Sequence, residues 1–288
     1  DGSRVAFWST GDFLSPSNRD GSVEIFVALL TAGSVNGYRQ VTFSSGAVLG
    51  GFNLAPAISG NGKRLAFFSD RNLSGENSDG NFELFVADLS TALLPHPAPI
   101  TLTQVTQSFV GVNTSPSINS DGRYAAFASD RDYAGNNPDG NSEIFLVDLD
   151  DLADIQITQV TSTTVDVTND FPAISSGGTR IAYAANSNTP GSTTAGVYVA
   201  EVIAGTVISN ALVQQFSSQT SGQIAISADG NTIAFASDQA NPGVDATQIF
   251  VARDVLSVTQ SLQQVTYLTT TGLISTTNTQ PALDDTGQ

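Results

Sequence analysis

The fold can be predicted from one stretch of the chain, SPSINSDGRYAAFASDR at residues 115–131, together with EIFLVDL, which follows it at residues 143–149. The stretch combines a Pro-x-Ile phrase, an Asp-Gly turn and short segments of β-branched, aromatic and small apolar residues, a composition typical of β-strands. A two-residue type I′ hairpin needs positive φ, which Asp-Gly and Asn-Gly pairs favour. We therefore expect such hairpins at Asn61-Gly62, Asp121-Gly122 and Asp229-Gly230.

This stretch recurs along the whole chain. Its aromatic anchors, spaced by 52 to 60 residues, are Phe7, Phe67, Phe127, Tyr183 and Phe235. Each copy continues with a second apolar strand, such as Glu24–Val27, and most copies then end a third strand in Gln-Val-Thr. Each repeat thus supplies four short strands, called a to d here, of which strand a carries the Pro-x-Ile phrase. No segment has a sustained apolar period near 3.6 residues, so helix is expected to be minor.

The strands are almost continuously apolar, as expected of sheets that are covered on both faces. Four-stranded sheets stacked radially cover one another in this way, and repeats of this kind are typical of β-propellers. We therefore predict an all-β protein with a single β-propeller domain over residues 1–288. The repeats are placed at about 1–58, 59–118, 119–174, 175–226 and 227–288.

The two ends of the chain fall in the same phase of the repeat. Residues 1–2 and 284–288 both belong to the turn between strands a and b. A C-terminal strand a at residues 280–283 would therefore complete the blade that the N-terminal strands b, c and d begin. This favours five four-stranded blades in a closed ring, and a segment of a longer propeller is the alternative.

The quoted stretch resembles the WD-repeat-like repeat of TolB-type β-propellers, and the resemblance extends over essentially the whole chain in five copies. It implies a propeller fold. It does not imply one activity, because propellers serve many unrelated functions.

The chain is strongly acidic, with 27 Asp and Glu against 10 Lys and Arg and a net charge of -17. Such a surface repels phosphate backbones and anionic lipids, so we expect no nucleic-acid partner. Membrane insertion is not expected either, because no apolar run approaches the ~18 residues of a membrane span. The absence of Cys, the scarcity of Lys and the many Ser, Thr, Asn and Gly residues predict a secreted or periplasmic bacterial protein.

Three loops between strands b and c read Asn-x-Asp-Gly-[Asn/Ser]-x-Glu, and oxygen side chains at alternate positions around a Gly turn can wrap Ca²⁺. The candidate ligands are Asn18, Asp20, Glu24, Asn77, Asp79, Asn81, Glu83, Asn137, Asp139, Asn141 and Glu143. The alternative is structural: Asp-Gly makes the turn, Asn satisfies backbone groups, and Glu pairs with Arg71 or Arg131. No other cofactor is expected.

A second group of polar residues lies three positions before the Pro of strand a. Its members are Asn53, Asn113, Asn169, Ser221 and Asn278. Strand a is expected to be innermost, so these side chains would form a ring at the mouth of the central channel, on the face of the b–c loops. Alternatively, they join successive blades through backbone hydrogen bonds.

Catalytic patterns are scarce in this sequence. The only His, His96, lies in a Pro-rich c–d loop, and no Gly-x-Ser-x-Gly motif occurs. We predict no catalytic residues and a non-catalytic binding or scaffold propeller that presents its b–c loops and channel mouth to a protein or carbohydrate. The alternative function is a cation-dependent polysaccharide-active enzyme, a lyase or a hydrolase. The competing location for a partner is the c–d loop face.

Overall fold

The structure is a computed structural model that describes residues 2–15, 17–44, 51–91, 99–109, 111–133, 135–187, 195–215, 222–237, 247–257, 259–266, 281–284 and 286–287. The secondary structure of this part of the chain consists of strands. None of it forms a helix that is long and apolar enough to cross a membrane. The prediction of an all-β protein is therefore confirmed.

Nineteen strands are described, in five sheets. They are β1 (Arg4–Ser9), β2 (Glu24–Thr31), β3 (Ser34–Gln40), β4 (Asn53–Ile58), β5 (Arg64–Ser69), β6 (Glu83–Asp88), β7 (Thr101–Gln104), β8 (Asn113–Ile118), β9 (Tyr124–Ser129), β10 (Glu143–Asp148), β11 (Gln156–Gln159), β12 (Val167–Ile174), β13 (Arg180–Ser187), β14 (Gly196–Ile203), β15 (Thr206–Gln215), β16 (Ala225–Ile226), β17 (Thr232–Ser237), β18 (Gln248–Arg253) and β19 (Ser261–Gln264).

Strands that follow each other in the chain pair within one sheet. The sheets have the orders β1-β2-β3, β4-β5-β6-β7, β8-β9-β10-β11, β12-β13-β14-β15 and β16-β17-β18-β19. Four of the five sheets are thus four-stranded with the predicted order a to d. The first sheet has three strands among the described residues, and residues 281–284 belong to no strand. Ring closure by a C-terminal strand and the number of five blades therefore stay predictions.

The chain divides into two compact units. The first comprises residues 1–125 and 148–156, and the second comprises residues 126–147 and 157–288. In the first unit a core joins the first two sheets and includes Ile25, Val27, Leu65 and Phe85. In the second unit a core joins the last two sheets and includes Val197, Val199, Ile233 and Phe235. The assignment of all 288 residues to one domain stays a prediction.

One aromatic pair marks the centre of every sheet. The predicted anchor on strand b stacks on an aromatic ring of strand c, with ring centroids 5.6 to 5.8 Å apart. The pairs are Phe7/Phe26, Phe67/Phe85, Phe127/Phe145, Tyr183/Tyr198 and Phe235/Phe250. Directly opposed aromatic residues stabilise a sheet beyond the area that they bury. Burial also raises the pKa of Tyr183, in agreement with the central position of these rings.

The predicted type I′ geometry of the a–b turns is wrong. Gly62, Gly122 and Gly230 have φ of 67°, 80° and 74°, but the residues before them, Asn61, Asp121 and Asp229, do not have positive φ. A type I′ turn needs positive φ at both central residues. Hydrogen bonds from Ser59 N to Arg64 O and from Gly62 N to Ser59 O instead close a longer loop. The Asn or Asp at the turn serves as a local cap, since Asn61 Oδ1 accepts from Lys63 N at 2.9 Å and Asp121 Oδ1 accepts from Arg123 N at 2.9 Å.

These turns also contact an arginine of the preceding repeat that the sequence analysis missed. Arg64 donates to Gly122 O at 3.0 Å and to Leu149 O at 2.7 Å, and Arg4 donates to Gly62 O and Leu89 O. The signal in the sequence is an Arg two residues after the turn glycine. A Cβ at Gly122 would lie 3.1 Å from Arg64 Cβ, so the turn requires Gly for space as well as for φ.

We expect Gly122→Ala to lower the free energy of unfolding by about 2–3 kcal/mol, because it combines a left-handed alanine with contact against Arg64. Gly135→Ala is the matched control, since Gly135 has φ of 76° and open space around its Cβ position. Gly135→Ala should lower the free energy of unfolding by only the cost of a left-handed alanine, about 1–2 kcal/mol. Urea unfolding checks the difference, and equal losses would show that the contact with Arg64 contributes nothing.

True two-residue hairpins with positive φ at both positions occur between strands c and d. They are Ala32-Gly33, with φ of 50° and 78°, and Ala204-Gly205, with φ of 47° and 78°. Alanine is strained in this region, whereas Asn tolerates it. We expect Ala32→Asn and Ala204→Asn each to raise the free energy of unfolding by about 0.5–1 kcal/mol. Thermal unfolding checks this against Ala153→Asn, at an exposed alanine without positive φ, which should change little.

Candidate functional site

Three of the predicted metal ligands are glutamates at the first position of strand c, and all three are fully buried: Glu24, Glu83 and Glu143. Glu83 Oε2 accepts from Thr106 Oγ1 at 2.5 Å, and Oε1 accepts from Ser108 N at 2.7 Å and Ser108 Oγ at 2.6 Å. Glu24 and Glu143 accept from the equivalent residues of their own sheets. Each carboxylate is therefore surrounded by donors from the end of strand d.

The Gln-Val-Thr phrase supplies these donors. Thr106 Oγ1 accepts from Leu84 N at 2.8 Å while it donates to Glu83, and Gln104 Nε2 donates to Thr106 O at 2.9 Å. The same bonds recur in the first and third sheets. The phrase thus closes strand d onto the start of strand c.

The predicted channel-mouth residues Asn53, Asn113 and Asn169 supply the last donor, and they are buried. Asn53 Nδ2 donates to Val23 O at 2.7 Å and to Glu24 Oε2 at 3.2 Å, and so links the second sheet to the first. Asn113 and Asn169 make the equivalent bonds to Glu83 and Glu143. Each glutamate thus has three donor residues: the Thr of the Gln-Val-Thr phrase, the Ser or Thr two positions later, and the Asn of the next strand a. We call the three glutamates and these donors the buried glutamate network.

The remaining channel-mouth candidates, Ser221 and Asn278, lie outside the described residues, as does His96. A ligand-binding role for the amides stays a prediction. In the structure, Asn53, Asn113 and Asn169 direct their amide nitrogens at the preceding strand c.

The expected pairing of the glutamates with arginine is wrong. Arg71 and Arg131 instead approach Asp70 and Asp130, with N–O distances of 4.0 and 3.7 Å. The donors around each glutamate are neutral hydroxyl and amide groups, and a metal ion would have to displace them. Within the described ranges, no group of three or more His, Cys, Asp or Glu side chains is placed to hold a metal ion.

The asparagine at the start of each b–c motif braces its loop. Asn77 Nδ2 donates to Asn81 O at 2.9 Å, and Asn137 Nδ2 donates to Asn141 O at 2.9 Å. Asn18 makes the same bond to Ser22 O at 3.0 Å. The Asp of each motif lies exposed at the loop tip, before a glycine with φ of 65° to 70°; these residues are Asp20, Asp79 and Asp139.

Exposed large apolar side chains concentrate at the same end of the first unit. Six lie in b–c loops or d–a connections: Phe13, Leu14, Phe43, Phe52, Phe109 and Val112. Phe109 is 92% exposed and Phe43 is 61% exposed. The described a–b turns carry none. We call these six residues the apolar loop face. None of these residues was predicted, because a lone Phe in a loop has no periodicity to identify it.

A cleft of about 480 Å³ opens beside Phe43. Its walls include apolar side chains from the first and second repeats, namely Val41, Leu73, Ile100 and Leu102. The side chains of Arg39 and Arg71 also line it. Burial lowers the pKa of Arg39, so this cation lies in a partly dehydrated place. A second cleft of about 500 Å³ lies at the a–b turns and mixes both charges, with Lys63, Arg64 and Arg123 beside Asp88, Asp121 and Asp150.

We expect Glu83→Ala to lower the free energy of unfolding by about 3–5 kcal/mol, because four buried donors then lose their acceptor. Thr106→Val, which keeps the side-chain shape, should cost about 1–3 kcal/mol. Glu76→Ala is the control, an exposed glutamate in the same loop. Urea unfolding provides the measurement, and a Glu83→Ala curve that overlays the Glu76→Ala curve would contradict the role of the network.

Comparisons with known proteins bear on the fold. No protein-family model and no curated protein sequence matches the chain. Among solved structures, TolB from Acinetobacter baumannii is similar at 22% identity and a TM-score of 0.54, over 92% of this chain and 54% of that chain. A putative TolB from Agrobacterium tumefaciens is similar at 15% identity and a TM-score of 0.52, over 91% of this chain and 79% of that chain. The tricorn protease is similar at 15% identity and a TM-score of 0.55, over 92% of this chain and 26% of that chain.

The chain therefore spans about half the length of the Acinetobacter protein. At these identities the comparison concerns architecture alone, since propellers host unrelated functions. Together with the successive four-stranded sheets, it shows that this chain has the TolB-like β-propeller fold.

Proposed function

We propose that this chain is a non-catalytic binding module, and that its partner docks on the apolar loop face. The observation that carries the proposal is the exposure of Phe43 and Phe109 in loops at one end of the first two sheets. Exposed aromatic side chains that share a face are typical of interaction surfaces. The sequence predicted that a partner binds on the face of the b–c loops, and the apolar loop face lies on that side of the sheets. The c–d loops lie on the opposite side.

The cleft beside Phe43 indicates the chemistry of the partner. It combines an apolar wall with two arginines, in a protein that has only 10 Lys and Arg in total. A guanidinium group recognises carboxylates through paired hydrogen bonds, and more strongly where water is partly excluded. We therefore propose a protein partner that presents a carboxylate next to apolar side chains, in preference to a carbohydrate.

A carboxylate-based enzyme is the alternative, and its chemistry needs acid and base groups that face a substrate. The three buried glutamates do not meet this need, because their oxygens already accept hydrogen bonds from Thr, Ser or Asn. The fold similarity to both TolB and the tricorn protease is compatible with binding and with catalysis. We further propose an extracytoplasmic location, in line with the absence of Cys.

The test uses a peptide library selected on the immobilised chain, followed by affinity measurement of the enriched peptides. We expect enrichment of peptides that place Asp or Glu beside apolar residues. The double variant Phe43→Ser/Phe109→Ser should weaken their binding by about tenfold or more. Ile203→Ser is the matched control, because Ile203 is 62% exposed and lies at a c–d turn of the other unit.

Three outcomes would overturn the proposal. One is equal loss of binding in the control, which would indicate a general effect of removing surface apolar groups. Another is peptide binding that is unchanged in the double variant. The third is the absence of any selected peptide together with binding or turnover of acidic glycans, which would favour a carbohydrate-directed function.

A further inference from the structure

We propose that the b–c loops of the second and third repeats each bind one Ca²⁺ ion, whereas the equivalent loop of the first repeat binds none. The ligands are side-chain oxygens of Asn77, Asp79 and Asn81 in one loop and of Asn137, Asp139 and Asn141 in the other. The buried glutamates are not among them. This proposal is independent of the apolar loop face.

The first observation is a set of four buried amide oxygens with no hydrogen-bond partner: Asn77, Asn81, Asn137 and Asn141 Oδ1. Asn77 and Asn137 are only 2% and 3% exposed. Leaving a buried acceptor unpaired costs about 1–3 kcal/mol. The same pair of positions is affected in two repeats, so the cost is a property of the loop and calls for a bound group.

The orientation of these amides is fixed by their nitrogen atoms. Asn77 Nδ2 and Asn137 Nδ2 each brace the loop by donating to a backbone oxygen at 2.9 Å. Asn141 Nδ2 donates to Thr163 Oγ1 at 2.9 Å and Val167 O at 3.0 Å. Exchanging oxygen and nitrogen in any of these amides would bring an acceptor against an acceptor. The unpaired atoms are therefore oxygens.

The first repeat shows where the oxygens of this loop converge. Ser22 Oγ lies 3.0 Å from Asn18 Oδ1, 2.9 Å from Asp20 Oδ1 and 2.8 Å from Glu24 Oε1. The Ser22 hydroxyl thus fills the centre of the loop with a donor. Asn81 and Asn141 replace it in the other two loops. Asn81 Nδ2 donates to Ser108 O, and Asn141 Nδ2 donates to Thr164 O and, as Ser22 does to Glu24, to Glu143 Oε1 at 3.0 Å. The Oδ1 atoms of Asn77 and Asn137, which correspond to the acceptor Asn18 Oδ1, are left without a donor.

The chemistry of the acceptors selects the ligand. Ca²⁺ binds carboxylate and amide oxygens at alternate positions of a loop that turns at a glycine. Asp79 and Asp139 add a negative charge beside Gly80 and Gly140, which have φ of 70° and 65°. A water molecule could donate to only two oxygens and would not compensate the carboxylate. With a single carboxylate per loop, the dissociation constant should be on the order of 10⁻⁴–10⁻³ M.

The test is calorimetry and thermal unfolding of the full chain, first stripped with a chelator and then titrated with CaCl₂. We expect two sites and a rise in melting temperature of roughly 2–6 °C at 10 mM Ca²⁺. The double variant Asp79→Asn/Asp139→Asn should remove both sites. Asp20→Asn is the matched control in the first loop and should keep both.

A change in stoichiometry makes the test sharper. Asn81→Ser/Asn141→Ser copies the first repeat and should abolish binding, whereas Ser22→Asn should raise the number of sites from two to three. No heat and no thermal shift with wild type would overturn the proposal in favour of bound water. Binding that survives Asp79→Asn/Asp139→Asn would overturn it in favour of adsorption to the acidic surface.

Discussion

A carboxylate buried at the start of strand c is the constraint on which the rest of each of the first three repeats depends. A buried acidic group is tolerated only when donors surround it, because an unmatched one costs several kcal/mol. Glu83 finds these donors in strand d, at Thr106 and Ser108, and in the next sheet, at Asn113. One side chain thereby fixes the end of strand d, its pairing with strand c and the position of the following sheet. In the first three repeats the Thr of the Gln-Val-Thr phrase and the Asn of strand a both donate to this carboxylate.

The last two repeats show what happens when the carboxylate is lost. In the fifth, Gln248 takes its place and accepts from Thr266 Oγ1 at 2.9 Å, so the closure of strand d persists. In the fourth, Gly196 stands at the start of strand c, where a Cβ would lie only 2.4 Å from Gln214 O. Close contact between backbones replaces the side-chain network there. Strand d is correspondingly long, with ten residues in β15.

Local patterns of the sequence were enough to predict the strands and the aromatic anchors of strand b, because residue composition and repeat spacing can be read without knowing which strands pair. They could not decide the role of Glu24, since its partners Thr42 and Asn53 lie 18 and 29 residues away. A motif of Asn, Asp and Glu is compatible with both a cation loop and a brace, and only the donors around it decide between them. The turn type at Asp121-Gly122 was predicted wrongly for a related reason, since a glycine with positive φ occurs in several turn types. The turn also requires a glycine because Arg64 of the preceding repeat packs against it.

The two ends of the sheets in the first unit differ in whether they expose large apolar side chains. At the a–b end, Arg4 and Arg64 donate to the turn carbonyls of the next repeat. At the b–c end, the network is complete below the surface, but the loops above it expose Phe43 and Phe109. Each exposed ring adjoins a donor of the network: Ser44 follows Phe43 and Ser108 precedes Phe109, and both serines donate to a buried glutamate. The network therefore anchors these loops to the strands while their aromatic side chains stay exposed. Binding usually resides on loops that a rigid scaffold supports in this way.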